Sequence, residues 1–363
     1  YAAHSYDKAL QAFTRYIDNS SGSNDFEALS MMGSIFSKRG RKTEAAAVYT
    51  RALKRANLTP KQRQTLLVNL GYIYISMDKI DTGVNYMRQA IAVGGENPRL
   101  RLDIGQALYS AKQYPEAIEE LRRAKELGIG YEADLALAFC YEKANKPGLA
   151  LYYMKEAEKS ASKSVLEESP DFYSQMAYLY TIEKSYAKAI TYYEKALCIA
   201  PSAIGTFKLG QVLRLSGNTE AAEATLLSVE PELLETPDAR ALYYEELGRA
   251  YKGSEQYDKA QEAFRSAIAE KPNAEEFYLL GQAQESSEDL EGAIKSYQNA
   301  VELNPADAYR ISLGYAYYKN EDLEKAAVIF EDIHQQDPDY INLTEDLAYI
   351  NKQLYRNDAS VEW

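Results

Sequence analysis

The run GRAYKGSEQYDKAQEAFRSAIAEKP, residues 248–272, sets the frame for the rest of the chain. A small residue, Gly248, is followed by Tyr251 three positions on, Ala260 twelve on, Phe264 sixteen on and Ala267 nineteen on, and Pro272 closes the stretch. The frame returns at once as Gly281, Gln284, Ala293, Tyr297, Ala300, Pro305, and again as Gly314, Tyr317, Ala326, Phe330, Ile333, Pro338. Upstream it falls on Gly33, Phe36, Ala45, Tyr49, Ala52, on Gly71, Tyr74, Gly83, Met87, Ala90, and on Gly105, Leu108, Ala117, Leu121, Ala124. It continues through Ala138, Tyr141, Ala150, Met154, Ala157, then Ala177, Tyr180, Ala189, Tyr193, Ala196, Pro201, and Gly210, Leu213, Ala222, Leu226, Val229. Nine small anchors thus succeed one another at steps of 33, 34, 38 or 39 residues. The longer steps place inserted turns around Thr59-Pro60, Lys163 to Pro170 and Pro231 to Pro237.

Each unit reads as two helices. Apolar residues recur at three and four in both halves, as one buried face requires, and polar turns such as Ser254-Glu255-Gln256 and Ser286-Ser287-Glu288-Asp289 divide the halves. Proline stops the second helix. The small residues have a mechanical reason: Gly or Ala on the first helix and Ala on the second let the axes approach, and the large residue of each fills the groove beside them. Leu at Gly248 or Ala260 would overpack that crossing. No turn-flanked stretch alternates with period two, so the expectation is all-α, without strands.

Composition narrows the function classes. With 41 Lys and Arg against 54 Asp and Glu, the 363-residue chain has a formal charge of −13, and 46% of it is apolar. That is a soluble, acidic, globular composition, and it argues against nucleic acid and anionic lipid as partners, since both demand clustered cations. Arg51, Lys54 and Arg55 with Lys61 and Arg63 form the one basic cluster. The longest uncharged apolar stretch, Leu135 to Tyr141, is far short of the roughly 20 residues that cross a bilayer, so no direct membrane insertion is expected. The chain begins at Tyr1 rather than Met, which leaves room for a removed signal segment. Cys140 and Cys198 read as buried structural thiols. Two histidines, His4 and His334, cannot make a His-rich metal site, and His334, on a second helix, reads as a surface or packing residue.

Period and pattern together resemble the tetratricopeptide repeat (TPR) family. The resemblance implies a right-handed α-α superhelix, a solenoid of about nine complete helix-turn-helix repeats with partial repeats at both ends. It also implies a concave groove that binds macromolecules rather than catalyses. The tryptophan common early in the family's first helix is replaced here by Tyr173, Tyr244, Phe277 or smaller residues. Residues 1–25 read as the second helix of a partial repeat, because Tyr6-Asp7-Lys8-Ala9 matches Tyr257-Asp258-Lys259-Ala260. Residues 26–340 read as nine repeats in one continuous superhelix, and 341–363 as a first helix with Trp363 inside the start of the next. Neither end offers a polar capping unit, so the chain is expected to be a segment of a longer protein.

If the fold is that of the family, the residue after each anchor, and those three before and four after it, face the groove. The resulting candidates are Tyr72, Tyr109, Phe139, Tyr178, Phe207, Arg214, Arg249, Lys252, Tyr278, Tyr315, Tyr318 and Tyr349. A tyrosine stripe interleaved with Gln, Arg and Lys suits a ligand with alternating apolar and hydroxyl-bearing faces, a sugar chain or an extended peptide. Tyr is equally content as filler at a half-buried edge. Co-chaperone members of the family hold C-terminal carboxylates with Lys and Asn, whereas this chain has mainly Tyr, Gln, Ser and Glu at those positions, with Asn69 and Lys208 as matches. Glu142, Glu245, Glu285 and Glu345 would repel such a ligand.

Catalytic signatures are weak. Gly128-Ile129-Gly130-Tyr131-Glu132-Ala133 imitates a dinucleotide loop but joins two helices rather than following a strand. No nucleophile elbow, phosphate-cradling glycine loop or His pair with metal spacing occurs. No cofactor is expected. The run Leu313-Gly314-Tyr315-Ala316-Tyr317, then Asp337-Pro338, then Leu347-Ala348-Tyr349-Ile350-Asn351-Lys352-Gln353-Leu354, is similar to the last repeats before the outer-membrane barrel of the enterobacterial phage adsorption receptor family. That resemblance implies part of an exopolysaccharide export apparatus with a periplasmic repeat arm. The leading expectation is therefore a non-catalytic scaffold, the periplasmic arm of an outer-membrane secretion or receptor protein, engaging a protein partner or polysaccharide. The alternative is a soluble cytoplasmic adaptor that binds extended peptides.

Overall fold

The structure, a computed structural model, describes residues 2–19, 25–55, 57–337 and 343–355. Pro338 and Trp363, read above as a helix stop and as part of a further helix, lie outside the described residues. The described residues form α-helices and one short 3₁₀ turn, with no strand among them.

The chain divides after Glu167 into two compact units. Unit 1 holds α1 (Ala2–Asn19), α2 (Phe26–Lys38), α3 (Lys42–Leu53), α4 (Pro60–Ser76), α5 (Ile80–Gly94), α6 (Pro98–Ser110), α7 (Tyr114–Glu126), α8 (Tyr131–Lys143), α9 (Pro147–Ser160) and α10 (Lys163–Glu167). Unit 2 holds α11 (Pro170–Ile182), α12 (Tyr186–Ile199), α13 (Ala203–Leu215), α14 (Thr219–Leu227), α15 (Pro237–Gly253), α16 (Tyr257–Glu270), α17 (Ala274–Ser286), α18 (Leu290–Leu303), α19 (Asp307–Lys319), α20 (Leu323–Gln336) and α21 (Leu343–Tyr355). Within each unit a helix packs on its neighbours in sequence, antiparallel pair upon antiparallel pair. Each unit is accordingly an all-α helical-repeat solenoid.

Glycine anchors sit where the two helices of a pair touch. A Cβ on Gly248 would lie 2.6 Å from Cε1 of Phe264, one on Gly281 would lie 2.6 Å from Cε1 of Tyr297, and one on Gly210 would lie 2.7 Å from Leu226. The partner in each case is the large residue sixteen positions on, so the missing side chain is what admits it. Phe264, Phe330 and Tyr297 rank among the largest fully buried side chains. Three repeats also stack tyrosines across the pair, with ring centroids 5.3–5.4 Å apart in Tyr74–Tyr86, Tyr141–Tyr153 and Tyr180–Tyr192. Many tyrosines are therefore packing elements.

One device recurs in all nine pairs and is not written in the anchor pattern. The seventh residue after each anchor has a left-handed backbone: Gly40, Asp78, Lys112, Asn145, Lys184, Gly217, Glu255, Glu288 and Glu321, with φ between +55° and +85°. The amide after it donates to the carbonyl of the third residue after the anchor, at 2.8–3.0 Å in every pair, as from Gln256 to Tyr251 and from Asp289 to Gln284. This Schellman closure satisfies orphan carbonyls at the end of the first helix and turns the chain into the second. Only two of the nine positions are glycine, so seven residues bear a conformation that costs an L side chain about 1–2 kcal/mol.

The long steps resolve into different things. At Thr59 the chain caps α4, its hydroxyl accepting from the Gln62 amide in a capping box, and α4 and α15 run to 17 residues where α6 and α11 have 13. Two of the three expected inserted turns are thus largely an added helical turn at the start of a first helix, with the 3₁₀ turn Pro231–Leu233 before the second. The third contains α10. Proline also does more than stop second helices: Pro60, Pro98, Pro147, Pro170 and Pro237 open helices at the first position, where the missing N–H costs nothing.

Candidate functional site

In unit 1 the residues following the anchors sit on α4, α6 and α8. Tyr72 is 45% exposed, and its hydroxyl donates to the Asp103 carboxylate of the next first helix. Burial, then that bond, pushes the Tyr72 phenol up to about 12. Tyr109 and Phe139 come together: with Gln106, Glu132, Leu135 and Ala136 they line a cavity of about 230 Å³ between α6 and α8. Burial raises the Tyr109 pKa above the ordinary phenol value.

Unit 2 has a larger cavity, about 410 Å³, where α11, α12 and α13 converge. Its walls include Asp171, Ser174, Gln175 and Tyr178 from α11, Tyr193 and Leu197 from α12, and Ile204 and Lys208 from α13. Tyr178 is 42% exposed. Lys208 is half-buried and among the described residues carries no ion pair; its ammonium lies 5.3 Å from the Phe207 ring centroid. Burial lowers its pKa below the ordinary lysine value, against the opposing pull of the Glu246 carboxylate.

Phe207 itself does not face a ligand. Only 1% exposed, it packs in the core with Leu226, Val229 and Leu234, its ring edge-on to Tyr243 at 6.2 Å. The segment between α14 and α15, with the added turn of α15, closes over the position three before the anchor.

The three cationic candidates are occupied by neighbouring repeats. Arg214 Nε donates to Glu246 Oε2 at 2.5 Å, and Gln211 reaches the other oxygen at 2.9 Å. Arg249 bonds Glu245 at 2.8 Å on its own helix and Glu275 at 3.0 Å on the next first helix. Lys252 donates to Gln282 Oε1 at 2.6 Å, and burial, then the Arg249 charge, holds its pKa below the usual lysine range. Further along, the Tyr315 hydroxyl donates to Asp346 at 2.5 Å and Lys319 to Glu285 at 2.6 Å. Tyr278 is half-buried between Tyr297 and Tyr309, with centroids at 5.8 and 5.1 Å. Tyr318 meets Tyr349 edge-on at 6.1 Å, and Tyr349 remains 50% exposed. The polar residues of this face therefore join repeat to repeat, and among the candidates the rings of Tyr72, Tyr178 and Tyr349 stay open.

Nothing here assembles catalytic chemistry from the candidates, and among the described residues no group of three His, Cys, Asp or Glu is placed to hold a metal ion. No helix of the described residues is long and apolar enough to cross a membrane. Sequence reading gave Lys208 only an isolated role. Its signal was its place two before an anchor.

Helix pairs stacked in series, with shallow mixed cavities between successive first helices, define a repeat scaffold suited to protein–protein interaction. The chain belongs to the tetratricopeptide repeat family: one sequence model of that repeat matches residues 1–60, 68–132, 245–308 and 278–341, and another matches 170–202. No curated protein sequence matches it significantly. Among solved structures it is similar to the APC/C hetero-tetramer Cut9–Hcn1, at 16% identity and a TM-score of 0.46, over 94% of this chain and 81% of that one. It is similar to a tetratricopeptide repeat protein from Parabacteroides merdae at 14% identity and a TM-score of 0.43, over 80% and 98%. YrrB, described as a TPR protein with an unusual peptide-binding site, matches at 20% identity and a TM-score of 0.44, over 54% and 96%.

Proposed function

We propose that the chain is a non-catalytic scaffold that holds an extended polypeptide segment of a partner against its first helices. The observation that carries this is the α11–α13 cavity, which Lys208, held by no ion pair among the described residues, lines together with Tyr178, Leu197 and Ile204. That combination takes an apolar side chain next to a carboxylate. Burying one Leu-sized side chain contributes about 1.5–3 kcal/mol, and a charge-assisted hydrogen bond about 1.5–3 kcal/mol. The sum is near the roughly 4 kcal/mol of millimolar binding, so useful affinity requires contacts on several repeats, which an extended segment supplies. The test is a peptide array probed with wild type, Lys208→Ala and Tyr178→Ala. Each variant should lose about tenfold in affinity with an unchanged melting curve; unchanged binding by both would sink the reading.

A second reading is favoured by the open rings of Tyr72, Tyr178 and Tyr349: a periplasmic arm of an outer-membrane secretion or receptor protein, passing polysaccharide along aromatic platforms. Fractionation of the native source and glycan binding by the Tyr→Ala variants test it. An outer-membrane-associated band and ring-dependent glycan binding support it, and a cytoplasmic band overturns it.

A further inference from the structure

Unit 1 carries a cavity of a different kind, formed by a second helix. Thr43, Thr50 and Arg51 of α3, Lys54 just past its end, and Met77 and Lys79 at the α4–α5 turn line a space of about 440 Å³. Positions 43, 47, 50, 51 and 54 recur at three and four and so share one face of α3. Lys79 arrives there through the left-handed residue Asp78, whose turn ends α4 and starts α5. No carboxylate lines the cavity, and among the described residues no ion pair holds Arg51, Lys54 or Lys79, all of them exposed. Nearby Arg41 and Arg55 are taken by Glu44 at 2.9 Å and Asp25 at 2.7 Å.

We propose that this cavity binds a phosphoryl group carried on a polypeptide partner, a phosphoserine or phosphothreonine with an apolar neighbour. A phosphoryl group presents close to two negative charges and three acceptor oxygens, which three cations and two threonine hydroxyls can surround, the guanidinium with two parallel donors. A carboxylate brings one charge and two oxygens and leaves cations uncompensated. The space exceeds a phosphate, and its Met77 wall receives an adjoining apolar side chain. A long polyanion would carry its further charges over the acidic remainder of the chain. A single phosphorylated side chain meets only this patch, because charges beyond about 10 Å are screened at 0.1 M salt. The site is independent of the first-helix reading, since neither Tyr178 nor Lys208 lines it.

The test uses the full chain and three fluorescent peptide pools of identical flanks, enriched in Leu and Ala, around a central phosphoserine, serine or glutamate. The phosphorylated pool should bind at least about tenfold more tightly than the others, with inorganic phosphate competing and added salt weakening it. Arg51→Ala and Lys79→Ala should each weaken it about tenfold, while Lys208→Ala leaves it unchanged. Protection of Lys54 and Lys79 from acetylation by the phosphorylated pool gives a readout in the wild-type chain that no folding defect can imitate. Equal affinity for the three pools, or absence of that protection, overturns the proposal. ATP competing more strongly than the phosphorylated pool overturns the assignment to a polypeptide.

Discussion

Gly248→Ala tests the packing of the repeat where it is tightest. The new Cβ would lie 2.6 Å from Cε1 of Phe264, whereas carbons in contact settle at about 3.5–4.0 Å, so a fully buried ring must retreat by roughly 1 Å. Overpacking of that order costs about 1–3 kcal/mol, and Ala returns about 1 kcal/mol over Gly in helix propensity. The expected net is a loss of up to about 2 kcal/mol, opposite in sign to the gain the same substitution gives in an uncrowded helix. Urea denaturation followed by circular dichroism reads it, within a cycle that includes Phe264→Leu. The smaller side chain alone leaves a void and costs about 1–2 kcal/mol. If ring and Cβ compete for one space, the double variant is more stable than the sum of the singles by about 1 kcal/mol. A stability gain from Gly248→Ala, or additivity within about 0.5 kcal/mol, would refute the close-approach argument.

The left-handed turn residues make a paired prediction: Gly217→Ala should lose about 1 kcal/mol and Glu288→Gly should be neutral or gain up to about 1 kcal/mol, read by thermal unfolding. Glu276 is buried with one carboxylate oxygen unpartnered, and burial raises its pKa against the opposing hydrogen bonds from its own amide and Asn273. The folded chain therefore holds that proton more tightly than the unfolded one, and stability from this group falls as pH rises through the ordinary Glu value. Glu276→Gln should be more stable than wild type by about 1 kcal/mol at neutral pH, the difference shrinking towards pH 4 in melts run across that range. Cys140 is buried, its thiol pushed up to about 12 by burial, while Cys198 is exposed. A thiol reagent should modify one cysteine rapidly in the native chain, and Cys198→Ser should abolish that phase; this corrects the expectation that both thiols are buried.

The helices were legible because the anchor spacing is itself the contact: Gly248 and Phe264 stand sixteen apart since one fills the space the other leaves. The Schellman turns were not, because seven of nine use Asp, Lys, Asn or Glu, which carry no glycine signal, and the bend is imposed by the packing on both sides. Thr59-Pro60 and Pro231 to Pro237 read as loops since proline punctuates a sequence, yet Pro60 and Pro237 open longer helices. Face assignment put Tyr178, Tyr109 and Phe139 in the groove, and these residues line cavities. It could not foresee that Arg214, Arg249 and Lys252 are consumed by the next repeat, because those partners lie about 30 residues away and periodicity within one helix says nothing of them.

Those cross-repeat bonds bear on how unit 2 responds to force. Glu246, Glu275, Gln282 and Asp346 each tie one first helix to its predecessor, so rotating one repeat against the next strains a charged or polar link together with the apolar core that runs from repeat to repeat through Phe207, Tyr243 and Leu279. Its resistance to bending then has an electrostatic part beside the apolar one. Rising ionic strength therefore weakens the half-exposed Arg249–Glu275 link more than the buried Arg214–Glu246 link, and the salt response of the unit is uneven from seam to seam.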